Sequence, residues 1–515
     1  LKSSYCWLEL RIKRKNGTSN FRKNSSKVYI IATIIKMNKS MLYKILGPLL
    51  FLSTLFLNPP DEMTESGFRL LGIILWMAVW WISEVVPIAV TALLPIILFP
   101  STNVLNIQET GSNYGHKYIF LFIGGFILAN AIQKWNLHKR IALNIILRLG
   151  GSNDKIILGF MLATGFLSMW ISNTATTVMM LPIALSVINQ VKDHPDTLKN
   201  ENKIFGKALM LAVAYSSSAG GIATLIGTPP NLIFAGFVQD NFNIEISFFQ
   251  WMKIGLPVSI ILMFFIWWFL TKVAFKMNKV GFPGGKKEIN RLLNQMGGIS
   301  NEEKKILFVF TITILCWIFR KNTINLLIPN FDDSMIAISS AIILFILPSK
   351  KNEEPLMKWK DAVSIPWGIL LLFGGGLSIA KGFQATGLDN WIGEQLTFIS
   401  FSSAFIVILL IVAGVNFLTE LTSNMATTAM LLPVMIPLAT LMGINPFLLL
   451  VGTTLAASCA FMLPVATPPN AVVFGSKLLN IADMVKAGIL INLFSILLIL
   501  LMVYFGMPFI WELTI

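Results

Sequence analysis

The chain has 515 residues, 55% of them apolar and only 13% charged, with a net charge of +15 and a mean hydropathy of +0.72. Soluble domains carry about 25% charged residues, so the solvent for much of this chain is lipid. That excludes a soluble enzyme, a coiled coil, a disordered segment and a secreted disulfide scaffold, and the long unbroken apolar runs exclude a β-barrel, whose strands alternate.

A basic arm, residues 1–41, comes first. Residues 1–36 hold nine Lys/Arg against one acid. We expect this arm to be a translated upstream extension ahead of Met37 or Met41, or else a cytoplasmic segment touching anionic lipid. The remaining basic residues sit in short loops between apolar runs, as orientation signals do. This distribution argues against a nucleic-acid partner.

The first half, 42–275, reads as spans at 42–57, 69–83, 85–100 and 118–133. A long neutral stretch follows at 156–191, another at 207–238, and a span at 254–275. A basic connector covers 276–304. The second half, 305–515, reads as spans at 305–320, 334–348 and 366–380, long stretches at 401–444 and 446–476, and a span at 486–510. The stretches 156–191 and 401–444 are too long for one span, and each has a polar centre. Both are expected to be re-entrant hairpins, since irregular backbone at membrane depth must be buried in protein or line a cavity. The expected fold is an all-α polytopic membrane protein with about 11 transmembrane helices and two hairpins. With the N-terminus inside, 34 of the 40 Lys/Arg fall on the inner side and 6 outside.

The halves repeat. Residues 172–183 are SNTATTVMMLPI and 423–434 are SNMATTAMLLPV, with eight of twelve positions identical. Gly124-Gly125 and Gly374-Gly375 precede them, and Thr-Pro-Pro-Asn follows at 228–231 and 467–470. The hairpins enter from opposite sides, so the repeat has inverted topology. That is the architecture of secondary transporters, with the site at the midplane.

The duplicated residues suit a cation and an anion together. Ser, Thr and Asn offer neutral oxygens to hard cations and N–H or O–H donors to a carboxylate. They also cap half-helices, but capping alone does not account for symmetric duplication. The paired prolines break each helix and free the carbonyls of Gly227, Thr228, Ala466 and Thr467. Segments 156–190, 208–238 and 445–476 contain no charged residue, and 401–444 contains only Glu420. An anion buried there must arrive with cations. Glu84, beside Trp80 and Trp81, reads as interfacial. Glu420 reads either as a proton or cation group or as a hydrogen-bond partner of the hairpin backbone. Cys6, Cys316 and Cys459 form no CxxC pair, and His116, His138 and His194 fall in expected loops. No metal or catalytic motif is present, so neither an enzyme nor a resident cofactor is expected.

Together with ATPPNAVVFGSKLLNIADMVKAGILIN at 466–492, the two Ser-Asn-x tips and the two Thr-Pro-Pro-Asn breaks resemble the divalent anion:sodium symporter family. The likeness covers residues 42–515. Eleven spans and the Lys/Arg bias imply a cell-membrane protein with its N-terminus cytoplasmic and its C-terminus outside; the resemblance implies a homodimer whose transport domain moves as an elevator against a scaffold. It implies one Na⁺ held by Ser168, Ser172, Asn173 and the Gly227 carbonyl, and a second held by Thr419, Thr422, Asn424 and the Ala466 carbonyl. The substrate carboxylates would meet Ser172, Asn173, Thr174, Thr228, Ser423, Asn424 and Thr467. Met425 departs from the hydroxyl that many relatives carry there. The implied activity is Na⁺-coupled symport of C4-type dicarboxylates such as succinate, malate or fumarate, with Na⁺-independent exchange or transport of sulfate as alternatives.

Overall fold

The computed structural model describes residues 40–149, 151–192, 199–276, 285–350, 354–395 and 403–511. The arm up to residue 39, with Cys6, and His194 lie outside these residues. The described residues are helical, with a single isolated bridge, Pro348 to Pro355, and no strand.

Among the described residues, six helices are long and apolar enough to cross a membrane: Glu65–Ser83, Ile107–Lys134, Phe248–Ala274, Trp367–Thr386, Asn424–Met442 and Ile481–Trp511. Shorter apolar helices include Ser40–Phe56 and Asp333–Ile346. Large apolar side chains such as Phe56, Ile97, Phe308, Leu410 and Phe509 are exposed. In water such a surface would associate; in hydrocarbon it is ordinary.

Both neutral stretches fold as helix, tip, helix. The first hairpin is Asn153–Ser168 and Asn173–Lys192, the second Ala404–Leu418 and Asn424–Met442. Both Thr-Pro-Pro-Asn segments interrupt a helix. Lys199–Gly221 resumes as Pro229–Phe242, and Pro446–Ala457 resumes as Pro468–Phe474. Each second piece begins on proline, which lacks an N–H that the first turn would leave unpaired anyway. Every residue from Ala208 to Thr228 is buried, so this irregular backbone sits wholly inside protein.

The structure differs from the sequence reading in three places. The expected span 85–100 is two short helices, Ile88–Thr91 and Leu94–Ser101, the second with Pro95 in its first turn. Residues 134–155, expected as a loop, contain the helix Leu137–Leu149, whose Leu137, His138, Ala142, Leu143 and Ile146 are buried. His138 is therefore a helical residue, and His116 caps the helix Lys117–Lys134. The connector likewise contains a helix, Gly285–Gln295. Both extra helices are amphipathic and too short to span, so a search for long apolar runs passes over them.

Specific polar contacts dock them. Arg140 donates to Glu303 at 2.7 Å and to the carbonyls of Gly297 and Gly298 at 3.0 and 3.1 Å. Glu288 accepts from Ser186 of the first hairpin at 2.6 Å. The Arg291 guanidinium beside Glu288 holds its carboxyl below the usual carboxylate range.

The helix Lys199–Gly221 and the hairpin arm Asn153–Ser168 touch backbone to backbone, since a Cβ on Gly220 would collide with the Gly165 main chain. Gly220→Ala should therefore destabilise the protein by about 1–3 kcal/mol through overpacking. The check is the melting temperature of the detergent-purified protein; an unchanged midpoint would mean that this crossing is loose.

Candidate functional site

The first tip gathers oxygens. Ser168, fully buried, places its Oγ 2.6 Å from Asn173 Oδ1 and 2.7 Å from the Ser217 carbonyl oxygen. The same Asn173 amide position lies 3.2 Å from the Ser217 carbonyl and 3.1 Å from the Gly227 carbonyl. These oxygens outnumber the protons available between them. Two states relieve the crowding: a cation among the oxygens, or a rotated amide whose Nδ2 donates to both carbonyls. Gly221 leaves room for this amide, because a Cβ there would meet it. The residues present thus fit a hard cation, which takes side-chain oxygens and unwound carbonyls.

The second tip repeats the arrangement. Thr419 Oγ1 lies 2.7 Å from Asn424 Oδ1 and 2.9 Å from the Ala457 carbonyl, as Ser168 does with Asn173 and Ser217. Thr177 donates to the Asn173 carbonyl at 2.9 Å, and Thr428 to the Asn424 carbonyl at 2.8 Å. The last residue of each Thr-Pro-Pro-Asn ties its own break. Asn231 donates to the carbonyls of Thr224 and Gly221 at 2.7 and 3.3 Å, and Asn470 to those of Leu463 and Ala460 at 3.0 and 3.3 Å. The carbonyls of Gly221, Thr224, Ala460 and Leu463 thereby find partners, as buried backbone must.

Ser172, Asn173, Thr174, Gly227, Thr228, Ser423, Asn424, Ala466 and Thr467 line one cavity of about 820 Å³. Of the expected residues, Ser168 and Thr419 stand behind the tips, in contact with the two asparagines. Thr422 is turned away: its hydroxyl pairs with Thr427 at 2.6 Å and donates to the Leu418 carbonyl at 2.9 Å. Met425 lies on the cavity wall and offers no donor there.

Four helices begin at this cavity, at Asn173, Pro229, Asn424 and Pro468. The helices that begin at Asn173 and Asn424 leave first-turn N–H groups without intrahelical partners, whereas those at Pro229 and Pro468 open on two prolines and bring only the positive end of the backbone dipole. The four come as two symmetric pairs, one per repeat. Among the described residues, no Lys or Arg lines the cavity, and Glu84 is the charged residue on its wall.

Glu420 is buried, and its carboxylate takes up backbone N–H groups. Oε1 accepts from the backbone N–H of Phe461 and Met462 at 2.7 and 2.9 Å and from Asn492 Nδ2 at 2.7 Å. Oε2 accepts from Leu463 N–H at 3.0 Å. Glu420 thus clamps the break of the second repeat. The first repeat has Met169 at the matching position, and there Thr224 Oγ1 closes the break by donating to the Met169 carbonyl.

Sequence reasoning missed Ser217 and Ala457, which contribute carbonyl oxygens and so carry no residue signature. The duplicated asparagines at 231 and 470 were within reach, because their repeat offset was visible.

Residues 38–512 match the model of the sodium:sulfate symporter transmembrane region. The chain is 45% identical over 492 residues to the sodium-dependent dicarboxylate transporter SdcS of Staphylococcus saprophyticus, covering 94% of this chain and 93% of that one. It is 44% identical over 470 residues to SdcS of Staphylococcus aureus strain USA300, covering 90% of each. Among solved structures it shares its fold with the Alcanivorax borkumensis YdaH transporter, at a TM-score of 0.53 and 12% identity, over 85% of this chain and 99% of that one. The chain is a multi-pass membrane transporter, not an enzyme, and belongs to the sodium:sulfate symporter transmembrane family.

Proposed function

We propose that this protein couples inward movement of Na⁺ to uptake of a C4-type dicarboxylate such as succinate, malate or fumarate across the cell membrane. The observation that carries the reading is the cavity itself: the hairpin-helix N-termini at Asn173 and Asn424, two oxygen clusters and, among the described residues, no basic side chain. A dianion with a carboxylate at each end matches the two symmetric hairpin N-termini. Its charge is balanced by one cation at each tip rather than by Lys or Arg. The staphylococcal relatives, sodium-dependent dicarboxylate transporters, support the same pairing of ion and substrate.

On this reading the first Na⁺ sits among Ser168, Ser172, Asn173, Ser217 and the Gly227 carbonyl, and the second among Thr419, Asn424 and the Ala457 and Ala466 carbonyls. The hairpins and broken helices form the moving unit of an elevator within a homodimer. Its N-terminus is cytoplasmic and its C-terminus outside. The cavity extends to Phe474, Gly475 and Ile481, beside the connection that holds Lys477 and the start of the helix Ile481–Leu501, which holds Lys486. By the distribution of Lys and Arg, that connection is cytoplasmic, so the site here opens inward.

Labelled succinate should accumulate in proteoliposomes only under an inward Na⁺ gradient, and replacing Na⁺ by K⁺ or choline should abolish accumulation. Undiminished succinate exchange in Na⁺-free buffer would make the protein an exchanger.

Asn173→Ala and Asn424→Ala each remove a cation oxygen and a donor to charged substrate. At about 1.5–3 kcal/mol per such contact, each should lower Na⁺-dependent uptake by roughly 10- to 150-fold with expression retained. If either variant kept most of its uptake, the two-tip site would be wrong.

A further inference from the structure

Glu84 lies on the wall of the substrate cavity, where the sequence suggested an interfacial residue. It follows the helix Glu65–Ser83 and holds a left-handed backbone, φ 48° and ψ 29°. Gly or Asn is the usual occupant of such a C-terminal position. Its side chain is exposed to the cavity, and among the described residues its carboxylate makes no hydrogen bond or ion pair. A fixed negative charge therefore faces a site that must receive an anion, with no basic lining residue to neutralise it.

We propose that Glu84 is a charge filter: it disfavours anionic ligands in proportion to their charge in the inward-open state, and so sets the preference for dicarboxylates over tricarboxylates. The inference rests on the proposed Na⁺-coupled dicarboxylate transport. Glu84 stands on a wall formed with Ile88, Phe126 and Ile369, outside the hairpins and broken helices that carry the site. If those elements move as a unit, the site meets Glu84 on the cytoplasmic side and leaves it on the outer side. The filter then acts at release.

The magnitude follows from Coulomb's law. At the high dielectric of a partly hydrated cavity, a unit charge within about one Debye length, about 10 Å, of a ligand shifts its affinity by about 2- to 3-fold per unit of ligand charge. That becomes about 4- to 9-fold for a dianion and about 8- to 27-fold for a trianion. Na⁺ is shifted the opposite way, by about 2- to 3-fold per ion. Two Na⁺ and one dianion together are neutral, so the loaded complex is left nearly unaffected while its components are shifted in opposite senses. Glu84 thus loosens the anion and holds the cations, without changing the overall driving force.

The test uses full-length transporter in inside-out vesicles, where uptake reads the cytoplasmic face. Labelled succinate uptake is inhibited by monomethyl succinate, succinate and citrate in alkaline buffer, giving a monoanion, a dianion and a trianion. At saturating Na⁺, where each competitor binds a transporter already holding its cations, the inhibition constants in Glu84→Gln should fall by factors that grow with charge, about 2- to 3-fold, 4- to 9-fold and 8- to 27-fold. The Na⁺ concentration for half-maximal uptake should rise by about 2- to 3-fold. Glu84→Asp, which keeps the charge, should stay near wild type, and right-side-out vesicles should give a much smaller effect. Adding choline chloride at constant Na⁺ should shrink the difference between wild type and Glu84→Gln, because salt screens an exposed charge. Equal shifts for all three competitors, or none, would overturn the filter. Wild-type vesicles without Na⁺-dependent succinate uptake would overturn the transport reading beneath it, which separates the two failures.

Discussion

The constraint on which the structure depends is the price of an unpaired charge away from water. A carboxylate taken out of solvent loses several kcal/mol unless opposite charge and hydrogen bonds replace its hydration. This chain supplies neither Lys nor Arg at the cavity. What it supplies is backbone: broken helices whose N-termini point inward, and oxygens clustered where cations can sit. Helix breaks and hairpins are the means by which an all-helical chain brings backbone dipoles and carbonyl oxygens to this cavity.

Breaking a helix at depth exposes carbonyls, and each repeat closes its break by its own means. Asn231 and Asn470 do the same work in both halves. The second half adds the Glu420 carboxylate, which gathers three backbone N–H groups and Asn492. The first half uses the Thr224 hydroxyl. The symmetry therefore holds at the tips, where ligand chemistry requires it, and lapses one shell behind them, where only backbone satisfaction is needed.

Much of this was legible in the sequence. Stretches too long for one span with polar centres gave the hairpins, and Pro-Pro pairs gave the breaks, because each breaks a helix for a stated steric reason. Ser168, Asn173, Thr419 and Asn424 came together as expected. Other features were hidden for physical reasons. The carbonyls of Ser217 and Ala457 belong to backbone, which any residue supplies. The helices Leu137–Leu149 and Gly285–Gln295 bury one face and carry charge on the other, so they resemble loops to a search for continuous apolarity. Thr422 lies next to the second tip in sequence, but its hydroxyl is satisfied by Thr427. Glu84 sits near a span end, where most acids are interfacial, and only the folded wall brings it to the cavity.

The proposed transport cycle requires that the anion and its cations bind as one neutral load. The central claim is that the cavity has no affinity for a dianion until both oxygen clusters hold cations. Isothermal titration of succinate into the purified transporter tests it directly, in buffers of equal ionic strength containing either Na⁺ or choline. The account predicts saturable binding in Na⁺, with an affinity that rises with Na⁺ concentration, and no measurable binding in choline. Equal succinate affinity in the two buffers would contradict it.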